Sequence, residues 1–508
     1  MIYFLDEYLL AKNSSVEHAA LKRLALFKQF KQPVKILTRD YDRLSVQTLR
    51  ELGVAQTDVR NMFDYFQHVP ADRPEKAVHN DEINLPTMDE VSVDANQSQV
   101  TNGDRLRRQV GYIPGTVGHV YYQNFLDDQG NLVECDLWDA RGFKSATQYF
   151  GQDGLLAFER YYDLRGVPVL DIYYAGDHAG QIQISRIVLK GQTLKEDHEF
   201  DTLGELFSYF LDQLATEDSE TTIFISDRPG IGVQPLLAMH AAAKKFVYIP
   251  INHVLTPDKP RQGELDGFIQ PVLQHPQKVD GLKVDGLIVQ TPQQQHDLHD
   301  RFPKVRVAAI PAVTFDPALT ARSAAAAASK KILFVGRLSP DKQLDQLLRA
   351  VALASRQVSG VTLDLFGYGD EQYQTAMRQL ADRLEIGSQV TFKGYQSSLA
   401  DQYPQYALLV NTNLTDGGPL ALVEAQTHGL PVVSYRFSYG PSACVIDQET
   451  GYLIKQGRVN DLAEAIVRLL KRPEQSQQFG DHARALAQKQ LAPEKVYARW
   501  QAFLGLES

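Results

Sequence analysis

The sequence predicts an α/β protein: two doubly wound parallel-sheet domains facing a cleft, with an antiparallel β-meander inserted in the first. Three observations predict it. Short apolar strands alternate with helix-period segments in residues 1–70 and again from about Asp201 onward, the order that a parallel sheet requires. Between about Val110 and Leu189 the chain changes to aromatic and β-branched runs separated by Asp/Gly turns, the mark of antiparallel hairpins. An alanine-rich stretch, TARSAAAAASKK (320–331), parts two α/β halves. At 508 residues the chain has room for about three units of ~150 residues each.

In chain order, Ile2–Leu5 and Pro33–Thr38 are strand-like and flank a helix from about Val16 to Phe30, whose apolar positions recur at three and four. Ser14 with Glu17 makes a capping box at its start. Residues 71–100, rich in Asp, Asn, Gln and Pro, are expected to be a linker or surface excursion. The meander follows, with turns at DDQG (127–130), GQDG (151–154), DLRG (163–166) and DHAG (177–180). Strands at 221–226, 245–251 and 286–291 complete the first half. The alanines of 320–331 suit a helix, and their position suits an interdomain connection. The second half has strands at 331–336, 361–367, 390–394, 407–412 and 431–435, each expected to lead into a helix. The last helix, about Pro493–Leu504 with Trp500, has no strand to follow and is expected to cross back to the first domain. The resulting domains are 1–95 and 201–318 (first Rossmann-like domain), 96–200 (meander), 319–490 (second Rossmann-like domain) and 491–508 (crossing helix).

Composition excludes several classes. Cys135 and Cys444 build no disulfide framework and no CxxC zinc pair. A net charge of −10 argues against a whole-surface nucleic-acid binder. Asp6 and Glu7 interrupt the apolar start, unlike a signal peptide, and no run of about 18 apolar residues offers a membrane span. The expected compartment is the cytoplasm, with any membrane contact peripheral, at the inner face. His296 and His299 lack a companion carboxylate for a metal site. Arg107–Arg108 reads as a solvated charge run, and the tyrosine pairs 121–122, 161–162 and 173–174 as packing.

Ligands of such sheets bind beyond the carboxyl ends of the strands, so the cleft between the halves is the expected site. Two constellations sit there. In FVGRLSPDKQLDQLLRAV (334–351), Gly336 turns the chain and delivers Arg337 and Lys342, two cations suited to a diphosphate. The alternative is a solvated helix start capped by Ser339 or Asp341. In LVNTNLTDGGPLALVEAQTHGLPVVSY (409–435), the loop TDGG leads into a helix with Pro419 at its first position. The amides of Gly417 and Gly418 are expected to form an anion- and hydroxyl-binding surface beside Asp416 and Glu424. The alternative is N-capping by Asp416 and a surface Glu424.

The G-R-L-x-x-D-K element, followed some eighty residues on by acid-x7-Glu, resembles the retaining group 1 nucleotide-sugar glycosyltransferases of the GT-B fold. That resemblance implies a metal-independent enzyme with a UDP-sugar as donor substrate and no separate cofactor. It makes Arg337 and Lys342 the donor diphosphate pair, and Asp416 the first carboxylate, where the family has Glu. Gly336, Gly417, Gly418, Pro419, Leu420, Lys393, Gly394 and Tyr395 would line the donor, and Glu424 would hold its ribose. The meander, DRPG (227–230), INH (251–253) and YGPSACVIDQETGYLI (439–454) resemble a bacterial subgroup. It comprises teichoic acid poly(glycerol- or ribitol-phosphate) α-glycosyltransferases and GtfA-type enzymes that glycosylate serine-rich adhesins. The subgroup implies His253 near the donor sugar and transfer of glucose or N-acetylglucosamine to a teichoic acid polymer or a Ser/Thr-rich protein. It also implies a homo-oligomer or a homologous partner subunit held through the meander. A non-catalytic acceptor-binding subunit is the rival, fed by Asp416 and by an N-terminal loop without glycine. In that loop Ser14, Ser15 and Val16 are candidate phosphate or acceptor contacts.

Overall fold

The computed structural model describes residues 1–83, 90–94, 96–176, 181–191, 196–218, 220–274 and 284–506. Three sheets organise them. A seven-stranded parallel sheet runs in the order Val307–Ala309, Gly286–Val289, Lys244–Tyr248, Ile223–Ser226, Ile2–Asp6, Val34–Thr38, Val59–Asn61. A six-stranded parallel sheet runs Val390–Gly394, Thr362–Phe366, Lys331–Val335, Leu408–Asn411, Val432–Arg436, Gly451–Lys455. From Glu90 to Phe200 the chain forms a ten-stranded antiparallel sheet whose strands pair strictly in sequence order.

The central strands of the two α/β sheets, such as Ile2–Asp6, Ile223–Ser226 and Leu408–Asn411, are buried along their whole length, as strands covered on both faces must be. The margin strand Val390–Gly394, in contrast, is mostly exposed. Ile2–Asp6 is wholly buried, in register with Val34 on one side and Ile223 on the other. Helix Ser15–Gln29 packs Leu24 and Phe27 on this sheet and starts in the capping box of Ser14 and Glu17. Helix Pro493–Leu504 returns to the same core, where Trp500 is fully buried and lies edge-on to Phe27 at 5.7 Å. The antiparallel sheet turns where its glycines supply positive φ: Gly130 at 85°, Gly154 at 76° and Gly166 at 78°. The fourth expected turn, DHAG (177–180), lies outside the described residues.

Several expectations need correction. Residues 71–100 are not merely a linker: Glu90–Val93 is one edge strand of the antiparallel sheet, and Gln97–Asn102 is the strand next to it. Val78 and Ile83 are buried against Val110, Tyr112 and Val120. Polar residues suffice there because an edge strand is solvated on its open side. No α-helix follows Val390–Gly394; the chain instead reaches a single 3-10 turn at Tyr403–Gln405, where Pro404 sits. The strands Val59–Asn61, Val307–Ala309 and Gly451–Lys455 were not anticipated. The alanine stretch carries a short helix, Ala324–Ala328, capped by Ser323.

The meander tyrosines mostly bond or pack within the sheet: Tyr161 donates to Glu159, Tyr162 to Thr147, and Tyr173 packs on Phe158. Of the basic run, Arg105 and Arg107 both pair with Asp128. His296 faces Asp300 at 3.6 Å. Among the described residues no helix is long and apolar enough to cross a membrane.

Candidate functional site

A cleft of about 570 Å³ opens between the carboxyl ends of the two parallel sheets. On the second-domain side, strand Lys331–Val335 ends at Gly336, and the neighbouring strand end crosses it closely. A Cβ on Gly367 would fall 1.8 Å from the Gly336 carbonyl oxygen. Arg337, 59% exposed, projects beside Asp341 at 3.8 Å. Lys342 is nearly buried in a 3-10 turn, with its Nζ 3.2 Å from Asp341 and 3.7 Å from Asp416. The Thr412 hydroxyl donates to the Lys342 carbonyl at 2.7 Å and holds that turn. Neither Ser339 nor Asp341 caps the helix Leu344–Ser355; Ser339 donates to Asp341, and Asp341 pairs with the two cations. Burial pushes the Asp341 carboxyl up, but the Ser339 hydroxyl, Lys342 and Arg337 together hold it below the usual carboxylate range.

The Asp416 loop differs from expectation. Asp416 Oδ1 accepts from the Gly417 and Gly418 amides at 2.8 and 3.2 Å, and Oδ2 from Asn413 Nδ2 at 3.1 Å. The loop's own carboxylate therefore occupies the amides expected to face an anion. The glycines serve close approach instead. A Cβ on Gly417 would sit 2.2 Å from the Pro250 carbonyl oxygen, and one on Gly418 2.5 Å from the Gln290 side chain, both across the cleft. Pro419 is the N-cap rather than the first residue of the helix, Leu420–Thr427. Leu420 lines the cleft and packs on Ala19, Ala312 and Val313 of the first domain.

Glu424, on that helix, is not a surface residue. Its Oε2 accepts from Tyr403 at 2.8 Å, and its Oε1 meets Lys22 of the first domain at 2.9 Å. Burial alone raises this carboxyl, yet Lys22, the Tyr403 hydroxyl and His18 bring it below the ordinary glutamate value. Tyr395 lines the cleft just after Gly394, whose φ of 72° turns the chain there. Lys393 points elsewhere, towards Asp364 at 3.7 Å.

On the first-domain side Ser14 and Ser15 line the cleft. The capping box uses two of the three amides expected to face phosphate: Ser14 N–H donates to Glu17 at 2.7 Å, and Val16 N–H to Ser14 Oγ at 3.2 Å. Arg228 braces this loop, reaching Asp6 Oδ1 at 3.1 Å and Glu17 Oε1 at 2.8 Å. Beneath it the buried pair Arg23–Asp227 anchors the helix, with burial pushing Asp227 up to about 6 against the pull of Arg23.

His253 is turned away from the cleft. Its side chain is fully buried, its ring stacks on Tyr439 at 6.0 Å, and its Nε2 lies 3.0 Å from the Pro260 carbonyl. A carbonyl only accepts, so Nε2 carries the proton and Nδ1 is the bare nitrogen. Its neighbour Asn252 lines the cleft in its place and donates to the Ser438 carbonyl of the second domain at 3.2 Å. Sequence reasoning also missed His18, Lys22 and Tyr403, all cleft-lining. The available signal was the four-residue spacing of His18 and Lys22 on one helix face.

Residues 317–486 match the family model for glycosyl transferases group 1. The poly(ribitol-phosphate) alpha-N-acetylglucosaminyltransferase of Staphylococcus aureus is 23% identical over 483 residues, covering 92% of each chain. The solved structure of an S. aureus TarM variant, in complex with fondaparinux, alpha-GlcNAc-glycerol and UDP, superposes with a TM-score of 0.80 at 20% identity over 99% of both chains. The pneumococcal O-GlcNAc transferase GtfA, solved with UDP and GlcNAc, superposes with a TM-score of 0.81 at 19% identity, over 99% of this chain and 98% of that one. Superposition over nearly full length includes the antiparallel sheet as well as both α/β halves. Residues 317–486 thus match the group 1 glycosyl transferases, and the chain as a whole shares the GT-B fold, with its inserted antiparallel sheet, of the solved TarM and GtfA structures.

Proposed function

We propose that the protein is a cytoplasmic, retaining glycosyltransferase that moves a hexose, glucose or N-acetylglucosamine, from a UDP-sugar to a bacterial cell-surface acceptor. A teichoic acid polymer is the favoured acceptor. The observation that carries the reading is that Arg337 and Lys342 at a strand end and Glu424 on the helix Leu420–Thr427 line the same, second-domain wall of the cleft. Diphosphate bound at the two cations sets the nucleoside towards Tyr395 and Glu424 and the sugar towards the Asp416 loop.

In the reaction, the bond between the anomeric carbon and the diphosphate oxygen breaks, and its electron pair leaves with UDP. The acceptor oxygen bonds to the same face of the anomeric carbon, and its proton passes to the departing phosphate oxygen. Arg337 and Lys342 stabilise the charge that grows on that oxygen. The chain's own cations fill this role, so the reading needs neither a metal nor a separate cofactor. Closure of the domains excludes water and limits donor hydrolysis.

A Ser/Thr-rich protein is the second acceptor reading, and one feature favours it. The first-domain wall is apolar where an acceptor would enter, with Ile251 50% and Leu255 59% exposed beside Pro250, Val254 and Pro257. The cation-bearing wall is the donor side. A non-catalytic subunit is disfavoured by the intact constellation of Arg337, Lys342 and Glu424.

The test is UDP release by the purified protein from UDP-glucose and UDP-N-acetylglucosamine. It is run with poly(ribitol-phosphate), with poly(glycerol-phosphate) and with a Ser/Thr-rich polypeptide. Acceptor-dependent release supports the enzyme. The absence of both turnover and UDP binding in every combination sinks it.

A further inference from the structure

One face of the helix Ser15–Gln29 reaches across the cleft and bonds the two second-domain side chains assigned above to the nucleoside. His18 and Lys22 are four residues apart and therefore point the same way. Lys22 Nζ lies 2.9 Å from Glu424 Oε1. His18 Nε2 lies 3.1 Å from the Tyr395 hydroxyl, which also accepts from the Asn13 amide at 3.1 Å. Between these two contacts, Ala19 packs on Leu420 at the start of the helix that carries Glu424. The first half of the helix is thus seated by an apolar contact with a polar one on either side of it.

We propose that Lys22, seconded by His18, is a positioning residue for the nucleotide: it orients Glu424 from the opposite domain and so couples nucleotide binding to domain closure. The proposal rests on the reading of Glu424 as the ribose-binding carboxylate. The hydrogen-bond inventory of the carboxylate supports it. Two oxygens offer about four acceptor positions. Lys22 takes one on Oε1 and Tyr403 one on Oε2. One position stays open on each oxygen, which is what the two hydroxyls of a vicinal diol require. Tyr403 comes from the second domain and fixes one edge whether the cleft is open or closed. Lys22 comes from the first domain and fixes the other edge only when it is closed. Glu424 is therefore fully oriented in the closed state alone. A ligand that prefers that state favours closure by the same factor by which closure favours the ligand. Other close contacts between the domains, Asn252 to the Ser438 carbonyl, Tyr439 to Asp297, Gly417 against Pro250 and Gly418 against Gln290, involve neither Glu424 nor Tyr395.

The experiment measures UDP affinity by calorimetry and donor and acceptor steady-state kinetics for wild type, Lys22→Met, Lys22→Arg and Glu424→Gln. Lys22 is 36% exposed in its side chain, so methionine should fold. UDP affinity of Lys22→Met should fall about tenfold, within the usual range of coupling between sites. Its donor KM should rise in parallel while kcat and acceptor KM stay within about threefold. Lys22→Arg should recover most of the affinity, which a merely structural role would not predict. In small-angle scattering, ligand-free Lys22→Met should be more open than wild type, and UDP should close it at higher concentration. If Glu424→Gln weakens UDP binding and Lys22→Met does not, the proposal is overturned while the ribose assignment stands. If Glu424→Gln also binds UDP normally, both are overturned. A Lys22→Arg as weak as Lys22→Met likewise removes the ion pair from the explanation.

Discussion

Gly417→Ala should disable the enzyme without unfolding either domain. The Gly417 backbone lies outside the left-handed region, so an alanine is conformationally allowed within its own loop. The difficulty lies across the cleft. The added Cβ would fall 2.2 Å from the Pro250 carbonyl oxygen, 2.4 Å from its carbon and 2.6 Å from the Ile251 nitrogen. Those distances are at least 0.4 Å, and at worst about 0.8 Å, short of the 3.0 Å that real Cβ contacts respect. All three neighbours are backbone atoms, so the loop or the whole domain must retreat by about 1 Å. A misplacement of that size at a reacting centre costs on the order of 100-fold in rate, or about 2.7 kcal/mol. Gly267→Ala provides the control. Beside the cleft-lining Asp266, its added Cβ would meet nothing within 4 Å, and its backbone also lies outside the left-handed region. UDP release from the donor with acceptor present, alongside thermal melting, checks both variants. Near-native melting with a roughly 100-fold loss for Gly417→Ala and less than tenfold for Gly267→Ala is expected. Equal losses, or full activity in Gly417→Ala, would refute the reasoning.

Lys342→Ala should lower kcat by about 100- to 1,000-fold, the loss of one contact to developing charge, with unchanged circular dichroism; an unaltered rate removes Lys342 from the chemistry. Trp500→Ala should lower stability by about 3–5 kcal/mol, because the indole is fully buried against Phe27; chemical denaturation followed in the first domain measures it. His253 gives a pH signature: burial depresses it from 6.5 to about 4, with the Pro260 carbonyl opposing. The unfolded chain therefore binds the extra proton between pH 6.5 and 4, and stability should fall as pH drops through that window, by up to about 3 kcal/mol. His253→Gln, which can still donate to Pro260, should show a flatter stability profile between pH 4 and 6.5, and an identical profile would refute the assignment.

The fold was legible where local chemistry is strong. Period-three-and-four apolarity marked the helix Ser15–Gln29, and Asp/Gly turns marked the antiparallel sheet through Gly130, Gly154 and Gly166. It was illegible at the sheet margins. Val59–Asn61 and Val307–Ala309 have only three residues each, and an edge strand such as Glu90–Val93 can be polar because one side faces water. Such strands pair because a neighbour offers free backbone groups, and no property of their own sequence records the neighbour.

The same division runs through the cleft. Arg337 and Lys342 follow directly from a strand and its turn, so a local motif carries them. Glu424 was legible as a position but not as an environment, because its partners Lys22 and Tyr403 come from distant parts of the chain. His253 shows the converse: it lies five residues beyond the end of the strand Lys244–Tyr248, in a loop whose packing turns its side chain inward to Tyr439 and Pro260.

The Gly417–Gly418 pair is the sharpest case, since two physical demands write the same letters. An anion-binding loop uses glycine to expose amides, and an interdomain contact uses glycine to let backbones meet. The amides here are occupied by Asp416, while the missing Cβ atoms make room for Pro250 and Gln290. The shorter acid at 416 belongs to the same arrangement. Aspartate folds back onto the amides of the two residues that follow it, an Asx-type contact that the extra methylene of glutamate disfavours. The departure from the family's glutamate thus changes what the loop does with its own backbone before any sugar arrives. On the proposed function, a donor sugar reaching that carboxylate would meet it already bonded to the Gly417 and Gly418 amides and to Asn413, so the release of Asp416 from its loop would bear on the choice of sugar alongside the shape of the pocket.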